Sequence, residues 1–209
     1  MPKIYYRRIT YNILARLAWL LRIRFIRLTH PERIGHLVLE PDCYAKDRRL
    51  ERRWEITVLL TDPDKIANPC LLELWRQHYV VVRNPRLVGL LRPLSQYPFL
   101  DRHLIAYAVA INETATCYTT YRHWGTRGPL LKLPPAQRRS GRATLAKMGV
   151  PEGAWFVCVH SREGGYSPSD EHLHSYRNSD IHDFVPAMQA IVAAGGWCIR
   201  VGDSTMQPL

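Results

Sequence analysis

The sequence predicts an α/β protein with two parallel sheets, the second of them incomplete. Short apolar runs rich in β-branched residues alternate with helical patterns along the chain. The alternation restarts after a connector rich in Pro and Gly, and 46% of the residues are hydrophobic, which is ordinary for a globular protein. The length of 209 residues corresponds to about one and a half domains of ~150 residues.

Residues 1–30 are predicted to form a basic amphipathic segment. They contain seven of the 29 Lys and Arg residues, and no acid precedes Glu32. The longest uncharged run is far shorter than the ~20 residues that a spanning helix needs, and interrupting arginines argue against a signal peptide. Arginines interleaved with Trp, Phe and Leu are typical of a segment lying on an anionic membrane surface. A helix packed on the protein body and an RNA-binding segment are the alternatives, but no RNA-recognition signature is present, so no nucleic-acid partner is expected.

Residues 31–130 are predicted to form the first α/β domain. Asp62-Pro63-Asp64 and Asn84-Pro85 end its strands as turns. The pattern predicts, in order, a helix over 41–53, a buried strand over 54–60, a helix over 68–78, a short strand over 79–82 and a helix over 103–110.

Residues 131–149 are predicted to be a linker and a connecting helix, which Pro135 opens and Gly149 ends. Residues 150–209 then predict one βαβ unit, with strands at 155–160 and 197–201 and a helix at 180–194. Because two parallel strands cannot cover their own edges and faces, we expect the rest of this domain to lie beyond Leu209.

A long polar loop after the strand that ends at His160 is the most informative feature of the second half. Ligands of doubly wound folds bind beyond the carboxyl ends of the strands. Arg162 follows this strand, and Arg177 stands near the start of the helix, which Asn178 or Ser179 could cap. Two arginines beside a helix N-terminus predict a pyrophosphate site. A solvated loop with ordinary caps is the alternative.

The segments 156–163 with Tyr166, 176–181 and 196–203 together resemble a family of bacterial glycosyltransferases of the two-domain GT-B type, which is associated with surface-polysaccharide synthesis. Residues 33–37 are more loosely similar to the first strand and loop of that family's N-terminal domain. His160-Ser161-Arg162 also resembles the first donor-binding motif of fucosyltransferases. That motif continues with a second arginine and an acid, whereas Glu163-Gly164-Gly165 follows here, so the resemblance does not specify GDP-fucose.

The resemblance implies two Rossmann-like domains and transfer of a sugar from a nucleotide-sugar donor to a hydroxyl of a glycan or lipid-linked acceptor. It assigns residues 31–130 to the acceptor side and implies an enzyme that uses neither a cofactor nor a metal. The cysteine pattern and the basic N-terminal segment favour a cytoplasmic location, peripheral at the inner face of the cytoplasmic membrane. His36 would face the acceptor as the general base. The implied donor-binding residues are His160, Arg162, Tyr166, Arg177, Asn178, Asp180, Arg200 and Gly202.

Two patterns offer metal-binding alternatives. Asp62-Pro63-Asp64 has the D-x-D form of a metal site, although its central proline favours a turn. The acids and histidines between 171 and 183 could bind zinc, although no zinc signature frames them.

The five cysteines form no C-x-x-C pair, which favours a reducing compartment.

Two functional alternatives also follow from the sequence. The Arg-rich N-terminus could make the protein a non-catalytic module that binds a membrane or RNA surface, with the α/β body only presenting it. A chain that ends within a domain could also be an inactive remnant of a transferase.

Overall fold

A computed structural model describes residues 2–28, 30–61, 66–107, 114–165, 168–202 and 204–209. The chain divides into two compact units, residues 1–133 and 134–209. The predicted boundaries at 30, 130 and 149 stay predictions, except that the segment before residue 30 contains a strand of the first unit, as described below.

A four-stranded parallel sheet organises the first unit, which confirms the α/β class. Its strands lie in the order β3-β2-β1-β4. β1 pairs with β2 from Ile23 opposite Ile56, and with β4 from Phe25 opposite Asp101. β3 extends the sheet beyond β2, with Val58 opposite Val80. The strands are β1 Ile23–Arg27, β2 Ile56–Leu60, β3 Val80–Val82 and β4 Asp101–His103.

The helices of the first unit begin where the sequence supplies caps and prolines. The side chains of Asn68 and Asn84 accept hydrogen bonds from backbone N–H groups of α3 and α4, and a proline opens each helix. The α-helices are α1 Pro2–Leu20, α2 Ile34–Leu50, α3 Pro69–Leu74, α4 Pro85–Leu91 and α5 Thr114–Trp124. The 3₁₀ turns are Trp75–Gln77, Leu94–Gln96 and Leu104–Tyr107.

Side chains that alternate along the strands fill cores on both faces of the sheet. Ile26, Leu59 and Val81 pack with residues of α2 and with Trp75 on one face. On the other face, small and apolar side chains form a second core: Ala15, Ala18, Phe25, Val58, Leu60, Leu94 and Leu100. Burial on both faces explains why β2 is apolar at consecutive positions.

The sequence placed the first α/β domain at residues 31–130, but β1 of its sheet lies before residue 30, at an interior position. Its sequence, Ile-Arg-Phe-Ile-Arg, interrupts the apolar run with arginines. The strand tolerates them at positions where their charged groups reach partners or solvent. Arg27, for example, donates to the Asp101 carboxylate of β4 over 2.8 Å.

Two predicted helices also differ from the structure. The helix predicted to begin at Pro41 begins at Ile34, so Pro41 lies inside α2. The region predicted to be helical over 103–110 contains the end of β4 and a 3₁₀ turn to Tyr107, and its last residues lie outside the described ones.

The second unit contains the predicted βαβ arrangement. β5 Phe156–Val159 and β6 Trp197–Arg200 are parallel, with Phe156 opposite Trp197. α6 Pro135–Lys147 precedes them. α8 comprises Val185–Ala193. Gly195 follows it with a φ of +78°, in the left-handed region that favours glycine. Between β5 and α8 the chain forms 3₁₀ turns at Pro168–Asp170, Ser175–Arg177 and Ile181–Phe184 and the short helix α7 Glu171–His174.

None of the helices formed by the described residues combines the length and the hydropathy that crossing a membrane requires.

Candidate functional site

The first candidate site lies at the carboxyl end of β1. The chain moves outward from β1 through β2 to β3, and β4 then pairs on the other side of β1. This reversal is a topological switch point, where open α/β sheets bind their ligands. The segment that follows β1 contains His30 and Glu32 and leads into the first turn of α2, which carries His36.

Two histidines and two carboxylates meet there. Nδ1 of His36 contacts Oε1 of Glu40, one helical turn further along α2. Nδ1 of His30 lies 3.0 Å from Oε1 of Glu32. The two imidazole rings are edge to face, with centroids 4.9 Å apart. Each imidazole therefore has a carboxylate partner of its own.

Burial distinguishes the two pairs. Glu40 is 1% exposed, whereas the His36 side chain keeps 19% of its surface accessible. In the tautomer that donates Nδ1–H to the Glu40 carboxylate, the lone pair of Nε2 is the acceptor. The His30–Glu32 pair is half-exposed. Partial burial raises the pKa of Glu32, but hydrogen bonds from its own backbone and from His30 outweigh this and hold the pKa below its ordinary value.

The sequence identified His36 and missed its neighbours. His36 lies in a helix, not in the strand and loop that residues 33–37 resemble. The spacing of four residues between His36 and Glu40 could have identified the pair once a helix was placed there. His30 and Glu32 approach His36 only because the segment after β1 turns back toward α2, and no spacing in the sequence indicates this.

The second candidate site is the loop that follows β5. The Ser161 hydroxyl donates to the Ser179 carbonyl over 2.6 Å, and the Ser179 backbone N–H donates to the Arg162 carbonyl over 3.0 Å. These bonds hold the beginning and the end of the loop together. His160, at the end of β5, is exposed.

Arg162 and Asn178 hold the loop from within. The Arg162 guanidinium donates to the backbone carbonyl of His174, and the Asn178 amide donates to the Glu171 carboxylate. A side chain at Gly164 would lie 2.9 Å from the Glu171 carboxyl carbon, so this glycine permits the close packing. Part of the hydrogen-bonding capacity of Arg162 is thus used by the loop itself.

Arg200 and Gly202 contact the last residues of the chain. Arg200 forms an ion pair of 2.6 Å with Glu163, which also accepts the Gln207 backbone N–H over 2.6 Å. A Cβ at Gly202 would lie 1.9 Å from the Met206 sulfur. Glu163 was missed because it lies 37 residues from Arg200 in the sequence.

The entry to the helical segment is capped by Asp180, and the prediction of Asn178 or Ser179 as the cap is wrong. The Asp180 carboxylate accepts the His182 backbone N–H over 2.9 Å and contacts the His182 ring over 2.8 Å. These two interactions lower the pKa of Asp180. An acid thus occupies the helix N-terminus at which the sequence predicted binding of a diphosphate. Arg177 is exposed, and within the described ranges no hydrogen bond or ion pair engages its guanidinium.

Tyr166 lies outside the described residues, as does the alternative metal motif at 62–64. In the part of the chain that the structure describes, no group of three or more His, Cys, Asp or Glu residues could hold a metal ion. All five cysteines are free thiols.

No family model, no curated protein and no solved structure matches the chain. The arguments for its function therefore depend on its own residues.

Proposed function

We propose that the protein is a glycosyltransferase that moves a sugar from a nucleotide-sugar donor to a hydroxyl of a glycan or lipid-linked acceptor. The observation that carries the proposal is the His36–Glu40 pair at the carboxyl end of an interior parallel strand. Deprotonation of a hydroxyl needs a general base that is accessible on one nitrogen and oriented on the other. The Glu40 carboxylate orients the His36 ring through Nδ1, and the His36 side chain keeps 19% of its surface accessible.

His36 is the proposed base. Its Nε2 takes the proton of the acceptor hydroxyl as that oxygen forms a bond to the anomeric carbon of the donor. The bond from that carbon to the nucleotide diphosphate breaks, and its electron pair leaves with the diphosphate. Glu40 fixes the tautomer of His36 and stabilises the imidazolium that results.

The donor diphosphate is assigned to the loop after β5. Arg177 has no competing partner among the described residues and is exposed, so it is the arginine best able to bind an oxyanion bidentately. Arg162 holds the loop in shape, and the part of its guanidinium that the loop leaves accessible contributes positive charge. His160 lies two residues before Arg162 in the sequence. Arg200 is neutralised by Glu163, so we propose a structural part for it. The enzyme is proposed to act in the cytoplasm without a metal or other cofactor.

Binding of nucleotides tests the donor assignment. We expect one class among UDP-, GDP-, CMP- and dTDP-sugars to raise the melting temperature of the protein, since a ligand that binds only the folded state stabilises it. Arg177→Ala should weaken this stabilisation and leave the unliganded melting temperature unchanged. Arg138→Ala, which removes an exposed arginine of α6, is the matched control.

The proposal fails if no nucleotide sugar stabilises the wild-type protein. It also fails if Arg177→Ala and Arg138→Ala respond to the nucleotide sugar alike. Arg162→Ala is less suitable as the first variant, because loss of the bond to His174 would disturb the loop as well as remove a charge.

A further inference from the structure

The outward face of α1 is apolar and basic, whereas its inward face is made of small side chains. Ala15 and Ala18 are buried against the sheet. At helical spacing on the opposite side, Ile13, Leu17 and Leu20 are 55%, 49% and 66% exposed. The body of the protein covers the alanine side of α1 and leaves these three apolar side chains at the surface.

The apolar surface continues beyond α1. A cavity of about 470 Å³ is lined by Arg16, Trp19, Leu20 and Phe99. Trp19 and Phe99 are 49% and 41% exposed. α4, whose Leu90 carbonyl accepts the Tyr11 hydroxyl of α1, adds the exposed side chains of Leu87 and Leu90. The face therefore spans two helices and the segment before β4, which is more than scattered surface residues would form.

The charges that α1 carries have one sign. Its sequence contains Lys3, Arg7, Arg8 and Arg16 and no acidic residue. Arg22 follows the helix and lies over the ring of the exposed Trp54, with 5.5 Å between the guanidinium carbon and the ring centroid. Exposed apolar side chains and tryptophans, together with a helix that carries arginines but no acids, complement the interface of an anionic bilayer.

We infer that α1 lies in the headgroup region of an anionic phospholipid bilayer, with Ile13, Leu17 and Leu20 toward the acyl chains. Trp19 and Phe99 sit at the interface beside them, and Arg16 and Arg22 contact lipid phosphates. The inference depends on the exposure and charge of this face, and it holds whether or not the protein transfers sugars.

Sedimentation of the full chain with vesicles tests the inference. We expect binding to vesicles that contain phosphatidylglycerol, weaker binding to pure phosphatidylcholine, and a loss of binding as salt is added. The double variant Leu17→Asp/Leu20→Asp should lower the partition coefficient by at least about tenfold. Leu173→Asp, which changes an equally exposed leucine of the second unit, should bind like the wild type.

A second measurement does not depend on charged substitutions. Brominated acyl chains should quench part of the tryptophan fluorescence, and Trp19→Phe should remove much of the quenched part while preserving binding. Circular dichroism checks that each variant is folded.

Four results would overturn the inference. The first is absence of vesicle binding by the wild type. The second is sedimentation of the Leu17/Leu20 variant as efficiently as the wild type. The third is a dimer that the same substitutions dissociate, together with no affinity for vesicles, because the face would then bind a second copy of the chain. Binding of single-stranded RNA that depends on Arg16 but not on Leu20, again without vesicle binding, would equally contradict it.

Discussion

The indole N–H of Trp75 donates a hydrogen bond of 2.8 Å to the backbone carbonyl of Leu37. Leu37 lies four residues before Pro41 in α2, so its carbonyl is the acceptor that a residue other than proline at 41 would satisfy through its own N–H. Trp75 is fully buried and belongs to the segment after α3. A tertiary contact thus supplies the hydrogen bond that the helix loses, and this explains how Pro41 is accommodated inside α2.

Trp75→Phe should lower the free energy of unfolding by about 2–3 kcal/mol, because it leaves a buried carbonyl without a donor and removes ring volume. Urea denaturation measures the change. Trp54→Phe, at a tryptophan that is 70% exposed, should cost less than about 0.5 kcal/mol.

A double-mutant cycle tests the explanation itself. Pro41→Ala restores a backbone N–H to residue 41, so Trp75→Phe should cost about 1 kcal/mol less in the Pro41→Ala background than in the wild type. Additive effects of the two substitutions would show that the indole does not replace the missing helical bond.

The same contact shows why the sequence predicted some elements and not others. β2 and β3 were predictable because their runs of β-branched and apolar residues precede sequence motifs that are typical of turns. The start of α2 was not predictable, because a proline is typical of a first helical turn. Trp75, which allows Pro41 to lie further inside the helix, is 34 positions away in the sequence. β1 was missed because its arginines interrupt the apolar pattern of a strand. Asp101, which pairs with Arg27, is 74 residues away in the sequence. His36 was selected through the resemblance of residues 33–37, whereas the partners of Arg162 and Arg200 depend on how the loop folds.

Glu40→Gln should reduce turnover of the nucleotide-sugar donor by about 10²-fold or more, with little change in KM, because the amide no longer stabilises the imidazolium of His36. Steady-state kinetics with the donor found by nucleotide screening measure the effect. Glu152→Gln, at an exposed acid of the second unit, serves as the control. Because the two residues act as a unit, His36→Gln and the double variant should be about equally slow; effects that multiply would contradict a shared role.

The stability of the first unit should decrease above pH about 10. Burial raises the pKa of Tyr44, Tyr79 and Tyr107, and hydrogen bonds to Glu55 and Asp47 raise it further for Tyr44 and Tyr107. A raised pKa in the folded state means that the unfolded chain releases its protons first. Each such tyrosine therefore lowers the free energy of unfolding by about 1.4 kcal/mol per pH unit once the pH exceeds the unfolded pKa.

Absorbance of tyrosinate, recorded together with circular dichroism during an alkaline titration, checks this prediction. The three buried tyrosines should ionise only as the secondary structure is lost. Tyr107→Phe should move the unfolding transition to higher pH. Ionisation of these three tyrosines while the secondary structure is intact would contradict the assignment.

Four of the five cysteines should fall into two reactivity classes. Cys43 and Cys117 are buried with their sulfurs 3.5 Å apart, and burial raises the pKa of both thiols. Cys70 and Cys158 are exposed. Because the thiolate is the reactive species, a disulfide reagent at mildly alkaline pH should modify the exposed pair rapidly and the buried pair only on unfolding.

Mass spectrometry of peptides after brief labelling identifies which thiols react. Replacing Cys70 and Cys158 with serine should remove the rapid phase and leave the melting temperature unchanged. Rapid modification of Cys43 in the folded protein would show that the contact between α2 and α5 opens more readily than its burial implies.

Two glycines of the second unit should respond to alanine with opposite signs. A Cβ at Gly196 would lie 2.5 Å from the ring of Trp155, so the ring or the backbone must shift, and Gly196→Ala should destabilise this unit by about 1–3 kcal/mol. Gly141 lies inside α6 with no atom within 4 Å of the added methyl group. Gly141→Ala should stabilise the unit by about 0.5–1 kcal/mol, because alanine loses less backbone entropy in a helix. Hydrogen exchange of β5 and β6 amides measures the first effect and that of α6 amides the second. If the clash with the ring is the cause, Trp155→Ala in the Gly196→Ala background should recover much of the lost stability. If the stability stays low in the double variant, the strain lies in the backbone of the turn before β6.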